Sequence, residues 1–236
     1  MSSIKKRYQT IQQELQAACE RAGRDVHGVK IVAVSKTVSF PEIKEAIAAG
    51  IHDFAENRSV LFKERQNAFP QERWHFIGTI QTNKVKDFTG HATLVHSVAS
   101  ERALRAIHAR MCHLVKTGEA PACATQPILI EVNVAGERTK DGVTPNELEG
   151  LLHAAESLTY MKVQGLMTMA PQSNEATIRS VFRELRIMRD TLAARFEHSR
   201  RIRLTELSMG MSEDYVIAAE EGATIIRVGR KVWQNA

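Results

Sequence analysis

Short apolar runs and amphipathic helical stretches alternate along this chain eight times, with no linker between them. Apolar runs bounded by turn residues read as buried strands, near 30–35, 51–55, 74–78, 93–97, 128–134, 163–168, 206–209 and 224–228. Apolar residues recurring every three or four positions between them read as helices. Strand–helix repetition forces a parallel sheet with right-handed crossovers. Eight such units close into an α/β (β/α)8 TIM barrel, whereas an open doubly wound sheet usually holds about five to seven strands.

Local signals mark the joints. Ile4, Tyr8, Ile11, Leu15 and Ala18 repeat at helical spacing until Gly23, which predicts an extra N-terminal helix on one end or flank of the barrel. Ser39-Phe40-Pro41-Glu42 and Thr144-Pro145-Asn146-Glu147 are capping boxes with proline in the first turn. Asn57 is placed to cap a helix carrying Val60, Leu61 and Ala68, and Ser212 to cap one after the seventh strand. A short helix is expected after Asn83. Residues 1–236 read as a single domain.

Charge narrows the possible partners. Net charge is +5, but the two signs are interspersed, the densest basic run (Arg200-Arg201-Ile202-Arg203) is short, and aromatics make up 6%. That argues against nucleic acid and is compatible with anionic small ligands. Cys19, Cys112 and Cys123 form no CxxC pair and read as reduced thiols, not as a metal site. Met1-Ser2-Ser3-Ile4-Lys5-Lys6-Arg7 leads into a helix without an apolar signal core, and no stretch approaches the ~20 apolar residues of a membrane span. The expectation is a cytoplasmic protein with no membrane contact.

Chemistry in such a barrel sits at the C-terminal ends of the strands, and phosphate commonly binds the loops after strands seven and eight. Ser208-Met209-Gly210-Met211-Ser212 closes strand seven and Arg227-Val228-Gly229-Arg230 closes strand eight. Their glycines let backbone approach a ligand, and hydroxyls and a helix start would receive an anion. Lys36 closes the first strand. Alone it reads as a lysine snorkelling to solvent; in a low-dielectric lip, desolvation would favour the neutral, nucleophilic amine of Schiff-base chemistry. Arg227 either pairs with a neighbouring acid, Glu206 being the candidate, or is a fixed cation for a ligand. Strands one and eight adjoin in a closed barrel, so Lys36 and Arg227 should share a cavity. Lysine, phosphate cradle and arginine together describe a pyridoxal 5′-phosphate (PLP) pocket.

The segments Ala33-Val34-Ser35-Lys36-Thr37, Phe54-Ala55-Glu56-Asn57, Trp74-His75-Phe76-Ile77-Gly78, His96-Ser97, Thr139-Lys140-Asp141-Gly142, Leu207-Ser208-Met209-Gly210-Met211-Ser212 and Arg227-Val228-Gly229 resemble the PLP homeostasis (YggS/PROSC) family, nearly end to end. The resemblance implies a barrel like the N-terminal domain of alanine racemase, with PLP held as a Schiff base on Lys36. It implies phosphate contacts from Ser208, Met209, Gly210, Met211, Ser212 and Gly229, Arg227 at the pyridine nitrogen, and Asn57 beside the cofactor. It further implies a protein that binds, buffers and hands over PLP, by transient contact with apo PLP-dependent enzymes, and that affects amino-acid and keto-acid balance without established catalysis. Two positions depart from the family pattern: Ala55 stands for a usual glycine, and Val232-Trp233-Gln234 for Ile-Phe-Gly.

An arginine at the ring nitrogen donates a hydrogen bond but does not readily protonate the ring, which weakens the electron sink behind most PLP reactions. Related racemases add a second β domain, and after strand eight only eight residues remain. A monomeric, non-catalytic PLP carrier is therefore expected. Two alternatives stay open: a racemase-type enzyme using His75, His96 or Lys140 at the barrel mouth, and a PLP-free Schiff-base aldolase. His75 and His96 read more simply as packing residues. Lys140, in the polar loop 136–142, reads either as a solvated lysine or as a second amine that captures or releases PLP.

Overall fold

In the computed structural model, which describes residues 3–137 and 139–234, eight parallel strands pair in sequence order and close on themselves. Met1, Ser2, Arg138, Asn235 and Ala236 lie outside the described residues. The strands are β1 (Lys30–Val34), β2 (Asp53–Glu56), β3 (Arg73–Phe76), β4 (Leu94–Val98), β5 (Gln126–Glu131), β6 (Met161–Met167), β7 (Ile202–Ser208) and β8 (Ile225–Val228). Helix α1 (Ser3–Arg21) precedes them; α2 (Phe40–Ala48), α3 (Ser59–Ala68), α4 (Glu101–Lys116), α5 (Pro145–Glu156), α6 (Glu175–Arg195), α7 (Tyr215–Glu220) and α8 (Arg230–Trp233) alternate with them. After β3 a 3-10 turn, Thr82–Asp87, takes the place of the expected short helix. The eight-unit α/β barrel is the architecture the alternation predicts.

Register sorts each strand into an inner and an outer face, because successive side chains point opposite ways. Val32, Ala55, Leu94, Leu129, Met167 and Ile225 fill the lumen. Phe54, Trp74, Phe76, Ile128, Ile130, Leu207 and Ile226 face the helices in the larger core. Paired positions in parallel strands share a face, so Ala55↔His75, His75↔Leu94, Val32↔Arg227 and Ser208↔Ile225 also put His75, Ser208 and Arg227 in the lumen. Ala55, where the family pattern has glycine, is a fully buried lumen residue on β2.

Several boundaries move for identifiable reasons. β7 starts at Ile202, inside the basic run, because Ile202 and Leu204 bury one face while Arg203 and Thr205 meet solvent. β5 stops at Glu131, short of the expected 134, and Val132 bridges to Val143 instead. Helix α3 turns Phe62 and Arg65 inward, not Val60, Leu61 and Ala68; Val60 is 62% exposed. Phe62 packs edge-on against Phe76 and Phe88, which decides that face. Both capping boxes form as expected. Asn57 and Ser212 do not cap: α3 and α7 begin after Arg58 and Asp214.

Helix α1 lies on the flank. Arg7 Nε donates to the Val232 carbonyl at 2.8 Å, and Arg21 pairs with Glu220 at 2.7 Å. It therefore ties down the last two barrel units.

Candidate functional site

A cleft of about 860 Å³ opens at the C-terminal ends of the strands, lined among others by Lys36, Asn57, Met167, Ser212, Arg227 and Gly229. These residues arrive from β1, β2, β6, β7 and β8 or the loops that follow them, so one wall collects what is far apart in sequence.

Lys36 sits in a turn two residues past β1, and it is exposed. The expectation of an ammonium at a buried, low-dielectric strand end is thereby corrected, because β1 stops at Val34. What is buried is the support. Arg65 forms an ion pair with Glu56, both side chains being buried, and donates to the Ser35 carbonyl and, at 2.8 Å, to that of Val38. Ser35 Oγ accepts a further bond from Arg65 at 2.8 Å. Arg58 donates to the Lys36 carbonyl at 3.1 Å, and Trp233 Nε1 to the Val34 carbonyl at 2.7 Å. The turn carrying the amine is fixed by its backbone while the amine stays free to reach the cleft. Sequence reading missed Glu56 and Arg65 as supports. The available signal was Arg65 three residues after Phe62, on the inward face of α3.

The other carboxylate oxygen of Glu56 accepts the backbone N–H groups of Asn57 and Arg58 at 2.9 and 3.2 Å. Gly78, after β3, lets the chain run against Asn57: a Cβ there would stand 1.9 Å from the Asn57 carbonyl oxygen. Asn57 is thus held in place from both sides.

The two loops after β7 and β8 divide the expected phosphate residues. Ser212 and Met211 line the cleft, as does Gly229. Ser208, Met209 and Gly210 are buried and are not among the residues that line it. Gly210 adopts φ +94°, and a Cβ would meet Ala218 at 2.6 Å, so its lack of a side chain serves the turn and the packing of α7. At Gly229 the nearest atom to an added Cβ is 3.6 Å away, so packing does not require glycine and a side chain would intrude on the cleft. Among the described residues, no group accepts a hydrogen bond from the backbone N–H of Ser212 or Gly229. These groups suit the oxygens of an anion.

Arg227 is 4% exposed and reaches the cleft from the lumen. It donates to Ser208 Oγ at 2.6 Å and to the Thr168 carbonyl at 3.0 Å. Glu206, the expected partner, instead accepts from Thr224 Oγ1 at 2.5 Å. Among the described residues no carboxylate lies within ion-pair distance of Arg227. Burial pushes the guanidinium down to about 10, against the pull of Glu131 and Asp214, so it stays charged at neutral pH. Glu131 is a lumen residue, paired in register with Met167; burial, with Asp141 adding, pushes its carboxyl up to about 7.

His75 and His96 are packed inside the barrel, as the simpler reading expects, and not at the mouth, where a racemase-type enzyme would need them. Both are completely buried inside the barrel and bonded to each other at 2.9 Å. Burial depresses both imidazoles below the usual histidine range. Lys140 is not freely solvated: its Nζ donates to the Ala170 carbonyl at 3.0 Å and pairs with Glu137 at 3.0 Å. Ala170 lines the cleft, so this lysine is tethered at its rim.

Known proteins share this sequence pattern and this fold. The alanine racemase N-terminal domain model matches residues 7–233. A PLP homeostasis protein of Aquifex aeolicus is 40% identical, the match covering 94% of each chain. A protein of unknown function from Bifidobacterium adolescentis superposes with a TM-score of 0.86 at 31% identity, covering 98% of this chain and 94% of that one. PipY of Synechococcus elongatus, solved with PLP bound, gives a TM-score of 0.76 at 29% identity over 98% of this chain and 100% of PipY. This chain belongs to the PLP homeostasis protein family, whose barrel is the alanine racemase N-terminal domain.

Proposed function

We propose that this chain binds PLP in the cleft and serves as a carrier and buffer of it, contributing to vitamin B6 and amino-acid homeostasis. The observation that carries this reading is that Lys36, Arg227 and the free N–H groups of Ser212 and Gly229 converge on one cleft. Bound there, PLP supplies an aldehyde that an amine can hold covalently and a ring that draws electrons from it. Lys36 provides that amine from a fixed turn. Arg227 directs an N–H toward the ring nitrogen, Ser212 and Gly229 receive the phosphate with Met211 beside them, and Asn57 flanks the ring. Ser208, Met209 and Gly210 shape the phosphate loop from behind. The fit is chemical: cationic and N–H donors for the anionic end, and room at Gly229 where any side chain would obstruct it.

The carrier reading over an enzyme rests on Arg227 and the histidines. A guanidinium that stays protonated donates a hydrogen bond but gives the ring no proton, so the electron sink is weak. His75 and His96 lie away from the cleft and offer no base at its mouth. The names of the relatives as homeostasis proteins, and PLP in PipY, support the same reading. We take the barrel as one PLP-binding unit, monomeric and cytoplasmic, that passes PLP to apo PLP-dependent enzymes. No helix among the described residues is long and apolar enough to cross a membrane.

The test is PLP titration followed by two assays on the loaded protein: reactivation of an apo PLP-dependent enzyme, and turnover of amino acids. Saturable binding, with transfer and with turnover no faster than free PLP, is expected. Turnover well above free PLP that disappears in Lys36→Ala would make it an enzyme, and failure to bind PLP would leave the aldolase chemistry of Lys36.

A further inference from the structure

A TIM-barrel lumen is ordinarily filled with Val, Ile and Leu. Here a chain of polar side chains crosses it from floor to mouth. Arg73 holds Asp53 with bonds of 2.8 and 2.7 Å at the N-terminal end of the barrel. Asp53 Oδ1 lies 3.2 Å from His75 Nε2, His75 Nδ1 lies 2.9 Å from His96 Nε2, and His96 Nδ1 lies 2.8 Å from Ser208 Oγ. Ser208 accepts from Arg227 at 2.6 Å, and Arg227 lines the cleft.

The direction of every proton in this chain follows from its ends. Burial alone would raise Asp53, but the bonds from Arg73 and His75 outweigh it and hold the carboxyl well below the usual range. An ionised carboxylate only accepts, so His75 carries its proton on Nε2 and presents Nδ1 as an acceptor. His96 must then donate from Nε2 and accept at Nδ1. Ser208 is left to donate to His96 and to accept from Arg227, which can only donate. All the bonds point one way, from Arg227 down to Asp53, and each linking atom has its partner.

We propose that Asp53, His75, His96 and Ser208 form a one-way hydrogen-bond relay that orients the Arg227 guanidinium at the cleft, making His96 a positioning residue for the bound ring. Aliphatic side chains would fill this lumen without the cost of burying polar groups. What the polar chain adds is a fixed acceptor for Arg227, which has no ion-pair partner among the described residues. This inference rests on the PLP reading of the cleft for its consequence, though not for the relay itself.

The relay is tested first without PLP, by nitrogen NMR of the imidazoles at pH 7. Both histidines are expected as neutral Nε2–H tautomers; an Nδ1–H or imidazolium form in either would overturn the relay. The second test compares His96→Leu with His96→Gln. Glutamine offers a donor to His75 and an acceptor to Ser208 in the same order, and leucine offers neither. PLP affinity should fall about ten-fold in His96→Leu, as for loss of one hydrogen bond to a charged group, with a shifted absorption maximum and Lys36 still labelled by borohydride. His96→Gln should stay within about two-fold of wild type on the same energy scale. Equal losses in both variants, tracking their unfolding temperatures, or no loss in either, would overturn the positioning role. If His96→Leu does not fold, Ser208→Ala cuts the same chain with little change of volume and carries the same expectation. Wild-type protein that takes up no PLP would end the PLP reading, while the tautomers would still decide the relay.

Discussion

Arg65 and Glu56 form a wholly buried ion pair, and the same guanidinium holds the carbonyls of Ser35 and Val38 on either side of Lys36. A surface lysine is thus mounted on a buried electrostatic anchor. Removing one partner leaves the other charge buried alone, which costs about 3–5 kcal/mol. Glu56→Gln should lower unfolding free energy by about 3 kcal/mol in urea denaturation. It should also weaken PLP capture by Lys36. Stability equal to wild type would mean the pair does not hold the turn.

Two glycines should separate folding from binding. At Gly78 an added methyl collides with the Asn57 backbone, so Gly78→Ala should cost about 3 kcal/mol through overpacking. At Gly229 the methyl meets only Val34 at 3.6 Å, so Gly229→Ala should change stability by less than about 0.5 kcal/mol. Its PLP affinity should nonetheless fall on the order of ten-fold, about 1.4 kcal/mol. Thermal melts and PLP titrations of the two variants check this directly.

Glu131 gives a pH dependence. Its folded carboxyl is pushed up to about 7 from 4.5, so the folded state binds the proton more tightly than the unfolded chain. Its stabilising contribution is present below about pH 4.5 and is lost as pH rises through 7. Between pH 5.0 and 7.5 that amounts to roughly 2 kcal/mol. Subtracting the urea-unfolding profile of Glu131→Gln from that of wild type should show this fall. Parallel profiles would contradict it.

The barrel was legible in the sequence because strand–helix alternation depends on local patterns, and eight repeats leave few topologies. The fold alone placed Lys36, Ser212, Arg227 and Gly229 at strand ends, where they line the cleft; Asn57 lines it too, but only the family resemblance implied that. What escaped was set by tertiary contact. The exposure of Lys36 depends on β1 ending at Val34, and the inward face of α3 depends on Phe76, Phe88 and Glu56, all remote from it. Ser208 was assigned to a ligand by its place in a motif, whereas its register with Ile225 turns it into the lumen. His75 and His96 look like packing residues one at a time, and only barrel closure joins them.

Trp233, where the family pattern has phenylalanine, donates its indole N–H to the Val34 carbonyl at 2.7 Å. Phenylalanine cannot make that bond. Trp233→Phe should therefore cost about 1 kcal/mol. Denaturant unfolding reads the loss, and an unchanged midpoint would show that the bond contributes nothing.

We propose that Lys36 holds PLP in this cleft. Borohydride reduction of the PLP-saturated protein, followed by peptide mapping, tests it most directly. A pyridoxyl adduct is expected on Lys36, with its absorption band absent from Lys36→Ala. A protein that shows no PLP band and keeps Lys36 unmodified, or carries the adduct only elsewhere, would contradict it.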